Sequence, residues 1–176
     1  MRMSQELHDR LLNDYFSDPA KRRTVAKGES IIQPDTYNDK LYYIRKGFFA
    51  GTILGEDELG DELPLEVLRS GQDSFIGVAS FFSESGRSVM NVRAVTNAEV
   101  SWMERDTPPV GRERFGSIRE QFMPVILEEL VNRQVNLSRT TQEREYAMRR
   151  LHLSENLSTL GRLSAGIAHE LNNAVG

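Results

Sequence analysis

The chain has 176 residues, 39% hydrophobic and 27% charged, which suits one domain with a packed core plus an appendage. It contains no cysteine, which excludes disulfide frameworks and thiolate metal sites and fits a reducing compartment. A net charge of −4 with scattered basic residues argues against nucleic acid as a partner. Lys21-Arg22-Arg23, the only basic run of three, reads as a solvated turn. No stretch approaches the roughly 18 consecutive apolar residues of a membrane-spanning helix. The opening MRMSQELHDRLL lacks the apolar segment of a signal peptide. These features predict a cytoplasmic protein with no membrane partner. His8, His152 and His169 are too scattered for a metal site.

Residues 4–16 carry Leu7, Leu11, Leu12 and Phe16 at helical spacing, which predicts a short amphipathic helix limited by Pro19. From about Thr24 to Glu104 the pattern changes to short β-type runs. These are Thr24–Lys27, Ser30–Gln33, Leu41–Lys46, Phe48–Leu54, Leu65–Arg69, Met90–Thr96 and Glu99–Glu104. Gly28, Pro34-Asp35, Gly47, the acidic stretch Gly55–Glu62, Gly71 and Asn97 punctuate them. Short strands at this spacing predict an antiparallel sandwich or barrel rather than parallel βαβ units.

After Pro108-Pro109 helix formers dominate from about Arg112 to Val175. Met123, Leu127, Leu130, Leu137, Met148 and Leu151 recur on an alternating four/three spacing that also passes through Gln134, Thr141 and Arg144. A heptad seam with polar members predicts a modestly stable coiled coil. A second seam, Leu153, Leu157, Leu160, Ser164, Ile167 and Leu171, is offset by two residues, a stutter-like break in phase. Such a break suits a helix that passes rotation between modules, and equally a bent surface helix.

The runs KGESIIQPD (Lys27–Asp35), LYYIRKG (Leu41–Gly47) and Glu66–Trp102 resemble a cyclic-nucleotide-binding domain, with glycines 28, 47, 71 and 77 in the family's positions. The resemblance spans about Lys27 to Met103. It implies an α+β fold: an antiparallel β jelly roll followed by a long C-terminal dimerisation helix. It also implies a ligand cassette in which a short helix, Gly77–Phe82, opens through Val78 and Ala79. Backbone N–H groups at such a start attract anions. Arg87 would add a fork of donors and Ser88 a hydroxyl. Two positions depart from the family. Pro34 replaces a glycine, and Val78 stands where a glutamate accepts from the ribose 2′-hydroxyl. A buried hydroxyl without its partner costs roughly 1–3 kcal/mol. The expected ligand is therefore some nucleotide-like or other anionic molecule rather than ordinary cyclic AMP or GMP.

The run LSTLGRLSAGIAHELNNAVG (Leu157–Gly176) closely resembles the first helix of a histidine kinase dimerisation and phosphoacceptor domain, with Ala174 where the family commonly has proline. The residues agree with this on their own terms. On a helix each residue advances about 100°. Leu160, Leu163, Ile167 and Leu171 then share one stripe, and His169 lies roughly 200° from Ile167, on the open side. A neutral histidine offers one ring nitrogen as nucleophile while the other carries a proton. Glu170 could accept that proton's hydrogen bond and raise the basicity of the nucleophile. The resemblance gives Glu170 this role, and gives Asn173 the orientation of water for dephosphorylating a response regulator. Ala165 and Gly166, one turn before His169, leave room for a docking domain, and Gly161 and Gly166 each cost a helix about 1 kcal/mol relative to alanine, which points to an access or close-packing reason.

The expected organisation is an N-terminal helix over 1–18, a β-roll over 19–110, a coiled-coil signalling helix over 111–156 and the start of a phosphoacceptor helix over 157–176. The expected protein is a homodimer joined through Arg119–Leu171, with a response regulator as partner. ATP and magnesium would be bound by a further domain, so this chain is expected to be inactive alone and part of a longer kinase. Two other readings use the same residues. In one, the roll is a ligand-free dimerisation or docking element of the kinase. In the other, the chain is a cyclic-nucleotide-responsive transcription regulator. That class needs a helix-turn-helix, and 140–176 show no turn separating further helices.

Overall fold

The computed structural model describes residues 5–56 and 60–131. Helix α1 spans Gln5–Tyr15, followed by a 3-10 turn at Pro19–Lys21 whose first N–H groups are capped by the Asp18 carboxylate, 2.9 Å from the Ala20 nitrogen. Eight strands follow: β1 Arg22–Val25, β2 Ser30–Ile32, β3 Lys40–Lys46, β4 Phe49–Glu56, β5 Glu62–Ser70, β6 Phe75–Ile76, β7 Asn91–Ala94 and β8 Ala98–Glu104. Helix α2, Val78–Phe82, separates β6 from β7. After β8 come a one-turn helix α3, Arg112–Phe115, and a longer helix α4 over 118–131.

The strands form two antiparallel four-stranded sheets, ordered β1-β8-β3-β6 and β2-β7-β4-β5. The sandwich expected from the spacing of apolar runs is thus present. The first run shifts by two residues to Arg22–Val25, the sixth shrinks to Asn91–Ala94, and Phe75–Ile76 is a strand the sequence pattern did not mark.

Two apolar clusters share β3. Tyr42 and Ile44 pack with Val25, Ile32, Phe49, Val92 and Val100 between the sheets. Leu41 and Tyr43, on the other face, pack with Leu11, Phe16, Phe75, Phe81, Met103 and Phe122 beneath the helices. A strand covered on both faces reads as a continuous apolar run, which accounts for LYYI. On the helix side the rings interlock: Phe75 lies 5.3 Å from Tyr43, 5.5 Å from Phe16 and 6.1 Å from Phe122 between centroids, all tilted or edge-on.

The helical region after 111 is interrupted. Gly116 takes φ +77°, and Ser117 then starts α4 with a capping box. The Ser117 N–H and hydroxyl both donate to the Glu120 carboxylate, at 2.7 and 2.8 Å, and the Glu120 N–H donates back to the hydroxyl. These hydrogen bonds hold the Glu120 carboxyl below its ordinary range. The longer helix therefore starts at 118 and does not run unbroken from 111. The remainder of the expected coiled coil, the second seam and the phosphoacceptor motif lie outside the described residues.

A network of polar groups ties α1 to this region. The Tyr15 hydroxyl accepts from the Val110 N–H at 2.9 Å and donates to Gln121 Oε1 at 3.0 Å. Gln121 Nε2 donates to the carbonyls of Val110 and Gly116, so a buried amide is satisfied on both ends.

Burial, and then the hydrogen bond from its hydroxyl to Asp73 at 2.7 Å, raise the Tyr43 phenol above its ordinary value of 10.0. Above about pH 10 the unfolded chain loses this proton while the folded chain keeps it, so stability falls as pH rises. Urea titrations between about pH 9 and 11.5 are expected to show a shallower alkaline loss in Tyr43→Phe than in the wild type. Equal slopes would place the alkaline sensitivity elsewhere.

Candidate functional site

The segment from β6 to β7 carries the residues singled out from the sequence. Gly77 precedes α2 in the left-handed region, at φ +85°. A Cβ there would lie 2.8 Å from Asn38 Nδ2 and 3.1 Å from Ile32 Cδ1, so glycine is needed for both backbone conformation and space. Asn38, itself buried, donates to Ser80 Oγ at 2.9 Å, and Ser80 Oγ donates to the Gly77 carbonyl at 3.1 Å. The turn into α2 is thereby fixed from a strand-flanking residue 39 positions earlier.

The first N–H groups of a helix have no acceptor within it, and here they belong to Val78, Ala79 and Ser80. Ala79 is exposed, whereas the Val78 side chain is buried in the helix-side cluster with Leu11, Leu41 and Phe122. Valine at 78 thus serves the core, and the position presents no acceptor to a sugar hydroxyl.

Arg87 is exposed, and its Nη1 donates to the backbone carbonyl of Asp35 at 2.6 Å. Asp35 itself sits at φ +58°, a conformation that aspartate tolerates better than most residues. Pro34-Asp35 therefore makes a turn whose left-handed residue is the aspartate, and that turn supplies the acceptor for Arg87. Ser88 is buried, and its hydroxyl is committed to its own loop, donating to the Met90 carbonyl at 2.9 Å and accepting from the Met90 N–H at 3.2 Å. Arg87 and Ser88 are adjacent, but the hydroxyl does not join the guanidinium at an open anion position.

Across the roll, the sheet is closely covered at Gly51. A Cβ there would lie 2.9 Å from the Met90 sulfur and 3.0 Å from Leu68 Cβ. Bulk on this part of the sheet's inner face thus comes from the protein's own side chains.

The segment is held along its length by residues that no sequence motif marked. Thr36, Tyr37 and Asn38 run antiparallel to Gly86, Arg87 and Ser88, with the Asn38 N–H donating to the Gly86 carbonyl at 2.7 Å and the Ser88 N–H to the Thr36 carbonyl at 3.1 Å. Asn38 and Tyr37 escaped notice because their partners are some 40–50 residues away, beyond the reach of any local pattern. His169, Glu170 and Asn173 lie outside the described residues. Among the described residues no group of histidine and acidic side chains is arranged to hold a metal ion, and no helix is long and apolar enough to cross a membrane.

Residues 22–107 match the cyclic nucleotide-binding domain family. Among solved structures, the chain resembles the c-di-GMP-responsive global regulator CLP of Xanthomonas campestris. The TM-score is 0.58 at 19% identity, over 79% of this chain and 63% of that one. It also resembles the catabolite activator protein of Thermus thermophilus, with TM-score 0.51 at 18% identity over 80% of this chain and 59% of that one. At these identities the likeness is one of fold, and the chain spans about three fifths of both solved proteins. No curated protein matches the sequence.

A phosphate-bearing ligand at this segment would take Arg87 from the Asp35 carbonyl. Removing a charged hydrogen-bond donor from a ligand costs about 1.5–3 kcal/mol, or roughly 10- to 100-fold in affinity. Calorimetric titration with a panel of cyclic nucleotides is expected to show such a loss in Arg87→Ala for whichever ligand binds. Micromolar binding untouched by that change would place the pocket elsewhere.

Proposed function

Because residues 22–107 form a cyclic nucleotide-binding domain, we propose that this chain is the sensory and phosphoacceptor region of a two-component sensor histidine kinase. The roll, degenerate as a nucleotide site, controls autophosphorylation on His169. One conjunction carries this reading: a ligand-type β-roll stands in the same chain as the run Ala168-His169-Glu170-Leu171-Asn172-Asn173. The roles of His169 as nucleophile, Glu170 as its hydrogen-bond acceptor and Asn173 as the water-orienting residue rest on that run alone. ATP and magnesium belong to a separate catalytic domain, and phosphoryl transfer then depends chiefly on positioning and charge stabilisation.

Dimerisation through the stem draws support from α4. Met123, Leu127 and Leu130 are exposed at 41%, 47% and 56%, although Phe122 and Val125 on the same helix are buried. The exposed three have the four/three spacing of the heptad seam, so the turns nearest the roll keep an apolar stripe for a second copy.

The degenerate character of the roll draws support from Val78 turned into the core, from Ser88 bonded to Met90, and from Met90 and Leu68 over Gly51. The same observations favour a second reading, in which the roll is a ligand-free docking element of the kinase. Failure of cyclic AMP, cyclic GMP and cyclic di-GMP alike to bind in the calorimetry above would favour it. The likeness to a catabolite activator protein concerns the fold, and the phosphoacceptor-like run takes the place where a transcription regulator needs its helix-turn-helix.

The encoded protein incubated with γ-labelled ATP and magnesium is expected to gain acid-labile, base-stable phosphate. That label should be lost in His169→Gln and kept in His152→Gln. Equal labelling of the His169 variant would end the kinase reading. Sedimentation of Leu127→Glu/Leu130→Glu is expected to shift the dimer toward monomer by about 10-fold or more in Kd with the fold intact, since each glutamate puts a charge into the shared seam. An unchanged dimer would move the interface off this stripe.

A further inference from the structure

Arg105 follows β8 and was marked by no sequence motif, yet its guanidinium makes three contacts around the candidate segment. Nη1 donates to the Tyr37 hydroxyl at 2.9 Å, and Nη2 donates to the Ser83 carbonyl just beyond α2. The guanidinium carbon also stands 5.5 Å from the centroid of the Tyr37 ring. The Arg105 N–H is fixed in turn to the Asp39 carbonyl at 2.9 Å. One side chain therefore bridges the end of α2 to the 36–38 strip along which Arg87 and Ser88 run.

Gly86 makes this closure possible. It has φ +64°, and a Cβ there would lie 2.3 Å from Tyr37 Cε2 and 2.6 Å from Arg105 Nη1. The ring and the guanidinium therefore lie directly against the backbone of the residue before Arg87. Tyr37 itself is 59% exposed, so the sandwich core does not hold it in place. A large exposed aromatic ring kept against a glycine by an arginine is a local clamp.

We propose that Arg105 and Tyr37 are positioning residues for Arg87, forming a latch that holds the 83–88 loop with the Arg87 guanidinium on the Asp35 carbonyl. The inference rests on reading 77–88 as the ligand segment and deepens it. An anion competing for Arg87 meets a loop whose position is set by Arg105 through Tyr37 and Ser83. Arginine suits 105 because two nitrogens of its rigid planar fork reach a hydroxyl and a carbonyl together; a lysine supplies one compact point charge with no such fork.

The test reads the side-chain 15N–1H signals of the Arg87 guanidinium Nη groups, assigned with Arg87→Lys, together with amide exchange at Asn38 and Ser88. In Arg105→Ala, the Arg87 signal is expected to collapse to the free-arginine position, and exchange at the two amides to rise about 10-fold, with the β3–β8 amides unchanged. Arg105→Lys should give an intermediate result. Tyr37→Phe, which deletes one exposed hydroxyl and leaves the ring, should raise exchange by a few fold and keeps the test open if Arg105→Ala fails to fold. An unmoved Arg87 signal in these variants, or exchange rising equally in β3–β8, overturns the latch. Neither readout involves phosphate transfer or a ligand, so failure here is distinct from failure of the kinase reading.

Discussion

The fold depends on a single strand being buried from both sides. β3 places Tyr42 and Ile44 between the sheets and Leu41 and Tyr43 under the helices, all within four consecutive residues. Both apolar clusters thus share one backbone, and neither can loosen without exposing the other face. Apolar area removed from water contributes about 25 cal/mol per Å². The strand where two such layers meet is therefore where the cooperativity of the domain is concentrated. The helix-side layer is largely aromatic. Phe16 from the end of α1, Phe75 from β6 and Phe122 from α4 bring three distant parts of the chain onto Tyr43 or onto one another.

How far the sequence disclosed this varies with the range of the interaction. Strand-forming runs bounded by Gly47, Gly71 and Pro34 were legible because alternation and turn residues act locally. The pairing of β6 with β3 was not legible. Phe75–Ile76 is too short to show a period, and its two residues are strand only because Tyr42 and Tyr43 offer them partners. The start of α4 was legible in principle: S-I-R-E at 117–120 is a capping box, and Gly116 just before it is the break. Helix-forming composition on both sides hid it. The heptad positions Met123, Leu127 and Leu130 were legible through spacing, and all three are exposed on α4.

The candidate site was legible as a list of residues but not as an arrangement. Gly77 could be marked because its conformation is glycine's own. That Val78 points into the core, that Ser88 turns back to Met90 and that Arg87 rests on the Asp35 carbonyl are outcomes of tertiary packing. Asn38 and Arg105 lie in sequence contexts with no motif, and their role comes from what reaches them across the fold. A family pattern transfers residue types. The direction of a side chain is settled by neighbours the pattern does not contain.

Helix α2 is also bound to the rest of the helical layer, and this sets how any event at its start can spread. At its far end the Phe82 carbonyl accepts from Arg119 Nη2 at 2.8 Å, and the Phe82 ring stands 5.8 Å from that of Phe122. Arg119 and Phe122 belong to the first turns of α4, whose other anchor is the Gln121 network to Tyr15 and Val110. A displacement of α2 must therefore either break a charged hydrogen bond and an aromatic contact or carry the start of α4 with it. Charged hydrogen bonds contribute about 1.5–3 kcal/mol, comparable with the coupling free energies of about 1–3 kcal/mol that allosteric proteins use. A five-residue helix tied at both ends, to Asn38 through Gly77 and Ser80 and to α4 through Phe82, is short enough to move as a unit and too well tied to move alone. The exposed apolar stripe on α4 begins one residue beyond Phe122. A displacement of the segment around α2 thus reaches the first turns of α4.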